Sequence, residues 1–117
     1  MKTKYKALFV IFLAVLLALD IVFGLQSIVE KHETVHAKIN DNFGIKSKIT
    51  TDFLAGSTEY SFNENNTKED IRIIKSLHSV NELVTYQFYT FYLQLSLQIL
   101  LIVIMLFIFY MKVEKHE

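Results

Sequence analysis

The sequence predicts a mainly α-helical membrane protein: two long antiparallel transmembrane helices that extend outside the bilayer, joined by a small β-hairpin. Three observations carry this. Residues 7–29, ALFVIFLAVLLALDIVFGLQSIV, and 91–111, FYLQLSLQILLIVIMLFIFYM, are nearly continuous apolar runs. Each holds about 20 residues, enough for a helix to cross ~30 Å of hydrocarbon. The chain also has no proline and only three glycines, which favours long unbroken helices. Between the runs, alternation of apolar and polar residues marks a short hairpin.

Residues 1–6 carry Lys2, Lys4 and Lys6, and residues 112–117 carry Lys112 and Lys115. Basic flanks favour the cytoplasmic side. Both termini are therefore expected in the cytoplasm of a two-span cell-membrane protein, with residues 30–90 outside. That region holds seven bases and nine acids. The first apolar run is long and lacks a small-x-small cleavage site, so it reads as a retained span rather than a removed signal peptide.

The first helix is expected to run past the membrane to about Asn40, because VEKHETVHAKIN contains no breaker. NDNFG ends it, with Asn42 or Gly44 able to take the left-handed cap conformation. IKSKITTDF and TEYSF alternate around LAGS and predict the hairpin, over about residues 45–62. NENN is a turn. Thr67 opens the second helix, and Asp70 completes a capping-box-like pair. That helix is expected from Lys68 to about Lys112.

Acids and bases balance at twelve each, so no strongly charged partner is implied, and the bases show no nucleic-acid patch. Without cysteine there are no disulfides and no thiolate metal sites. Asn65-Asn66-Thr67 is a glycosylation sequon in the external turn. Asp20 is a carboxylate inside the first span. Gln94, Ser96 and Gln98 lie at a similar depth, and hydrogen bonds from the two amides are expected to satisfy it.

The chemistry centres on HETVH. His32 and His36 are four apart and share a helical face. Two neutral imidazoles so placed can fill adjacent corners of a tetrahedral zinc ion. Helix rise places Glu82 at their level: with boundaries near Gln26 and Thr90, His32, Glu82 and His36 stand roughly 9, 12 and 15 Å above the bilayer. His78, Glu82 and Tyr86 step by four along the second helix. His78 or Tyr86 can donate to a developing oxyanion, and His78 can also replace a ligand. The bland alternatives are a solvated helix end for His32 and Glu33, and an interfacial aromatic belt for Tyr86, Tyr89 and Tyr92.

HETVH followed by NELVT resembles the gluzincin metallopeptidases, the thermolysin-like branch of the zincins. The resemblance covers two short blocks. It implies zinc as cofactor, His32, His36 and Glu82 as ligands, and Glu33 as general base. Asn81 and Thr85 match the residues around the third ligand, and Tyr86 stands where the family often has an acid. A peptide substrate would be cleaved just outside the bilayer. So small a scaffold would need a homodimer or a larger membrane partner to complete its cleft. The other expectation, from a different class, is a non-catalytic accessory subunit of a larger membrane complex.

Overall fold

A computed structural model describes residues 3–116. Lys2, counted above among the flanking bases, and Glu117 lie outside the described residues. Helix α1 spans Thr3–Asn42, strands β1 and β2 span Lys48–Asp52 and Ala55–Glu59, and helix α2 spans Lys68–His116. Both helices are long and apolar enough to cross a membrane. At 1.5 Å per residue they measure about 60 and 74 Å, which accounts for the molecule's 76 × 20 × 15 Å extents.

The helices pack antiparallel, since contacts that climb α1 descend α2. Lys6 pairs with Glu114, and its ammonium lies 4.8 Å from the centre of the Tyr110 ring. Halfway along, the Tyr92 hydroxyl donates to the Asp20 carbonyl (3.2 Å) and rests against Gly24, where a Cβ would collide with it. Beyond the apolar halves, α1 and α2 meet through histidines and asparagines.

The end of α1 is a Schellman motif. The Ile45 and Gly44 amides donate to the Asn40 and Asp41 carbonyls, at 2.9 and 3.1 Å, and Gly44 takes φ +72°. That left-handed residue costs glycine little and anything with a Cβ more. Ile45, the residue after it, is almost fully buried, as this cap favours. At the start of α2 the Thr67 amide donates to Asp70 and the Asp70 amide to the Thr67 hydroxyl, a reciprocal capping box.

The hairpin turn differs from the expected one. Asp52 pairs with Ala55, so the loop is Phe53-Leu54, and Ala55-Gly56-Ser57 belong to β2. The reason lies on α1. The Gln26 side chain donates to the Asp52 carbonyl (3.0 Å) and accepts from the Leu54 amide (2.7 Å), which fixes where the chain reverses. Leu54 tolerates φ 55° under that clamp. Gly56 then lies against α1, where a Cβ would come within 2.8 Å of Glu33 Cγ and 3.2 Å of Val29 Cγ1. β2 therefore climbs α1 from Gln26 to Glu33.

Asp20 is another correction. Among the described residues it makes no side-chain hydrogen bond with Gln94, Ser96 or Gln98; its side chain is exposed, as are both glutamines. Tyr92 faces α1, and Gln94 stands two residues on, about 200° round the helix. The glutamines consequently point away from α1.

Candidate metal centre

Three side chains converge where the helices leave the apolar zone. His32 Nε2 and His36 Nε2 are 3.1 Å apart. Glu82 Oε1 lies 3.0 Å from the first and 2.8 Å from the second. His32 and His36 are brought to one side of α1 by their i,i+4 spacing. Glu82 meets them because α2 runs back along that face.

The outer nitrogens of both rings are committed. His32 Nδ1 donates to the Thr85 hydroxyl (2.8 Å), and Thr85 sits 3.5 Å from the Asn81 side-chain oxygen. Asn81 in turn donates to the His32 backbone carbonyl (3.1 Å). His36 Nδ1 lies 2.5 Å from His78 Nδ1, and His78 Nε2 lies 2.8 Å from Asn40 Oδ1. Asn40 donates its amide to the Ser47 hydroxyl (2.7 Å), so its oxygen is turned to His78. The tautomers follow from these partners. His78 carries its proton on Nε2 and gives it to Asn40. Its Nδ1 accepts from His36 Nδ1–H. Both His32 and His36 are thereby left with lone pairs on Nε2.

Two imidazole lone pairs and a carboxylate oxygen within 3.1 Å of one another repel unless a cation sits among them. A proton or a metal ion can serve. The donor set fits zinc: two neutral imidazoles and a carboxylate are ordinary zinc ligands. Ligand atoms at 2.0–2.1 Å from a tetrahedral centre stand roughly 3.3 Å apart, and the three edges here are only slightly shorter.

Glu33 is buried beside this cluster, 5% exposed. Its Oε2 accepts from the Thr58 hydroxyl on β2. Its Oε1 stands 3.8 Å from His32 Nε2, free to face the cluster. A cleft of about 340 Å³ opens here, lined by Glu33, His36, Thr58, Tyr60, His78 and Glu82. Burial opposes ionisation of Glu82, but a proton shared between its carboxylate and the His36 and His32 rings, one of the two cations that can fill this gap, outweighs it and holds the carboxyl below its usual range. Burial, then the neighbouring His36, lowers the pKa of His78, which keeps that ring neutral.

Neither of the two anticipated oxyanion donors presents a free proton to the cluster. Tyr86 follows Thr85, so a 100° turn carries it outward, and it is 70% exposed. His78 lines the cleft but is buried against His36 and Asn40 with both nitrogens engaged, so neither is free to act as a ligand or to donate to an oxyanion. Asn40, Thr58 and Tyr60 were not anticipated. Asn40 extends the His32–His36 series by four, a signal the sequence did contain. Thr58 depends on hairpin register, and Tyr60 stacks on His78 with ring centres 5.1 Å apart.

No protein-family model, curated protein or solved structure matches the chain.

Proposed function

We propose that this is a two-span membrane protein that binds zinc outside the bilayer through His32, His36 and Glu82, and acts there as a gluzincin-like metallopeptidase. Residues 30–90 form the external region, and both termini are cytoplasmic, as the lysines flanking the apolar runs favour. One observation carries the metal reading: His32 Nε2, His36 Nε2 and Glu82 Oε1 converge within 3.1 Å while both Nδ1 atoms are used elsewhere.

When bound, zinc supplies a Lewis acid that polarises a carbonyl and lowers the pKa of water. The chain's own residues do the rest. Thr58 holds one oxygen of Glu33, so the other takes a proton from the attacking water and returns it to the departing amine. The Asn40–His78 pair fixes the tautomer of His36, and Thr85 fixes that of His32. The edge of β2 opposite β1 borders the cleft, and an extended peptide can add to it by main-chain hydrogen bonds.

Metal analysis of the purified full chain tests this. The wild type should carry about one zinc per chain, and Glu82→Ala should lose it. Glu33→Gln should keep the zinc and lose peptide hydrolysis. A wild type without metal would overturn the reading. A second reading, a non-catalytic accessory subunit with a structural metal site, has one observation in its favour. With both His78 nitrogens engaged and Tyr86 turned outward, neither anticipated oxyanion donor offers a free proton to the cleft. Zinc binding with no hydrolysis that depends on Glu33 would select it.

A further inference from the structure

One flank of α2, about 100° round the helix from the side that packs on α1, has no partner in the monomer. In the part of α2 outside the apolar runs, Ile73, Leu77, Val80 and Val84 are 38%, 40%, 56% and 42% exposed. They follow one another at steps of four, three and four. Single exposed aliphatic residues are ordinary, but four in strict heptad spacing on a water-facing helix make a seam. The same steps continue into the apolar run through Gln87, Phe91, Gln94 and Gln98, all exposed.

Charge placement follows the same register. Between Ile73 and Phe91 the only Asp, Glu, Lys or Arg residues are Lys75 and Glu82. They are seven apart and both occupy the heptad position farthest from the seam. Glu82 is the residue that meets His32 and His36. The seam therefore lies across α2 from Glu82 and contains no charge to repel a like surface.

The glutamines identify the occupant. An amide side chain in hydrocarbon needs hydrogen-bond partners. Gln94 and Gln98 find none on α1, from which they point away. Two copies inserted in the same direction, related by a two-fold axis along the membrane normal, bring each seam residue to its own counterpart at the same depth. A primary amide is both donor and acceptor, so it pairs with itself.

We propose that this protein forms a parallel homodimer through the Ile73–Gln98 seam of α2, with Gln94 and Gln98 hydrogen-bonding their counterparts inside the bilayer. The seam's apolar residues supply packing in the aqueous part, and the amides set the register. The two metal clefts then face outward on opposite sides of the dimer, open to separate substrates. The proposal rests on the two-span reading but not on zinc or catalysis.

The chain has no native cysteine, so single substitutions report cleanly. Leu77→Cys, Val80→Cys, Val84→Cys, Ser79→Cys and Tyr86→Cys are made in the full chain. Membranes are washed with alkaline carbonate, so only integral protein is assayed; loss of the chain in that wash would count against the two-span reading separately. Mild oxidation should give disulfide dimers at 77, 80 and 84 in roughly fivefold higher yield than at 79 and 86. Gln94→Leu/Gln98→Leu should weaken self-association in proteoliposomes roughly eightfold, the sum of two typical interhelical hydrogen bonds. Equal yields at all five positions, adducts of a different mass, or an unchanged association constant for the glutamine variant would overturn it.

Discussion

His78 shows how a residue that is not itself one of the three converging donors can still govern them. Its Nδ1 accepts from His36, and its Nε2 gives its proton to Asn40. Removing it frees the His36 ring to rotate and to place its proton on Nε2, where it blocks the lone pair. Losing such a supporting partner typically costs 10–100-fold in metal affinity. His78→Ala should therefore bind zinc about 10–100-fold more weakly than wild type in competition with a chromogenic chelator. Asn40→Ala should act in the same direction, because it removes the acceptor that holds the His78 tautomer. Unchanged affinity in both variants would show that His36 is oriented by something else. The sequence exposed the outer part of this arrangement. His32, His36 and Glu82 were legible because helical spacing and rise set both face and height. The tautomer chain was not, because it depends on which atom of each ring meets which neighbour.

At the scale of elements, the hairpin is the part the sequence located but misread in detail. Alternation set the two strands, yet the choice of Phe53-Leu54 as the loop comes from Gln26, nearly thirty residues earlier. Local pattern cannot carry that information. Once Gln26 fixes the turn, register places Thr58 on Glu33 and Gly56 against the Glu33 stem. Two expectations follow from this geometry. Gln26→Ala leaves the Leu54 amide without its acceptor and frees the tip; the loss is about 1–2 kcal/mol of local stability, read as faster hydrogen exchange at Leu54. Gly56→Ala puts a methyl 2.8 Å from Glu33 Cγ. The strand must lift or Glu33 must turn. Zinc content should stay at the wild-type level, since no ligand atom moves, while Glu33-dependent hydrolysis falls. A variant as active as wild type would show that β2 does not set the Glu33 position.

The whole molecule is a pair of helices joined at both ends by polar contacts, with little apolar core outside the two apolar runs. Only Leu25, Ile45 and Ile74 are buried hydrophobic residues among those described. Lys6 and Glu114 close the end remote from the hairpin. The other end is closed by the histidine cluster, whose three acceptors repel one another without a cation. A bound metal therefore does structural work: it stabilises the folded stalk by its binding free energy, about 2.7 kcal/mol at one hundred times its dissociation constant. Hydrogen exchange on the full chain in lipid bilayers should report this regionally. Chelation should accelerate exchange in 30–42 and 68–85, where the cluster ties α1 to α2, and added zinc should restore protection. The apolar stretches around Asp20 and Tyr92 should not respond, because lipid and helix packing hold them independently of the ion. His36→Ala should exchange like the chelated wild type and gain nothing from zinc. Protection that ignores the metal throughout 30–42 would mean that a shared proton, not a metal ion, already neutralises the three converging acceptors.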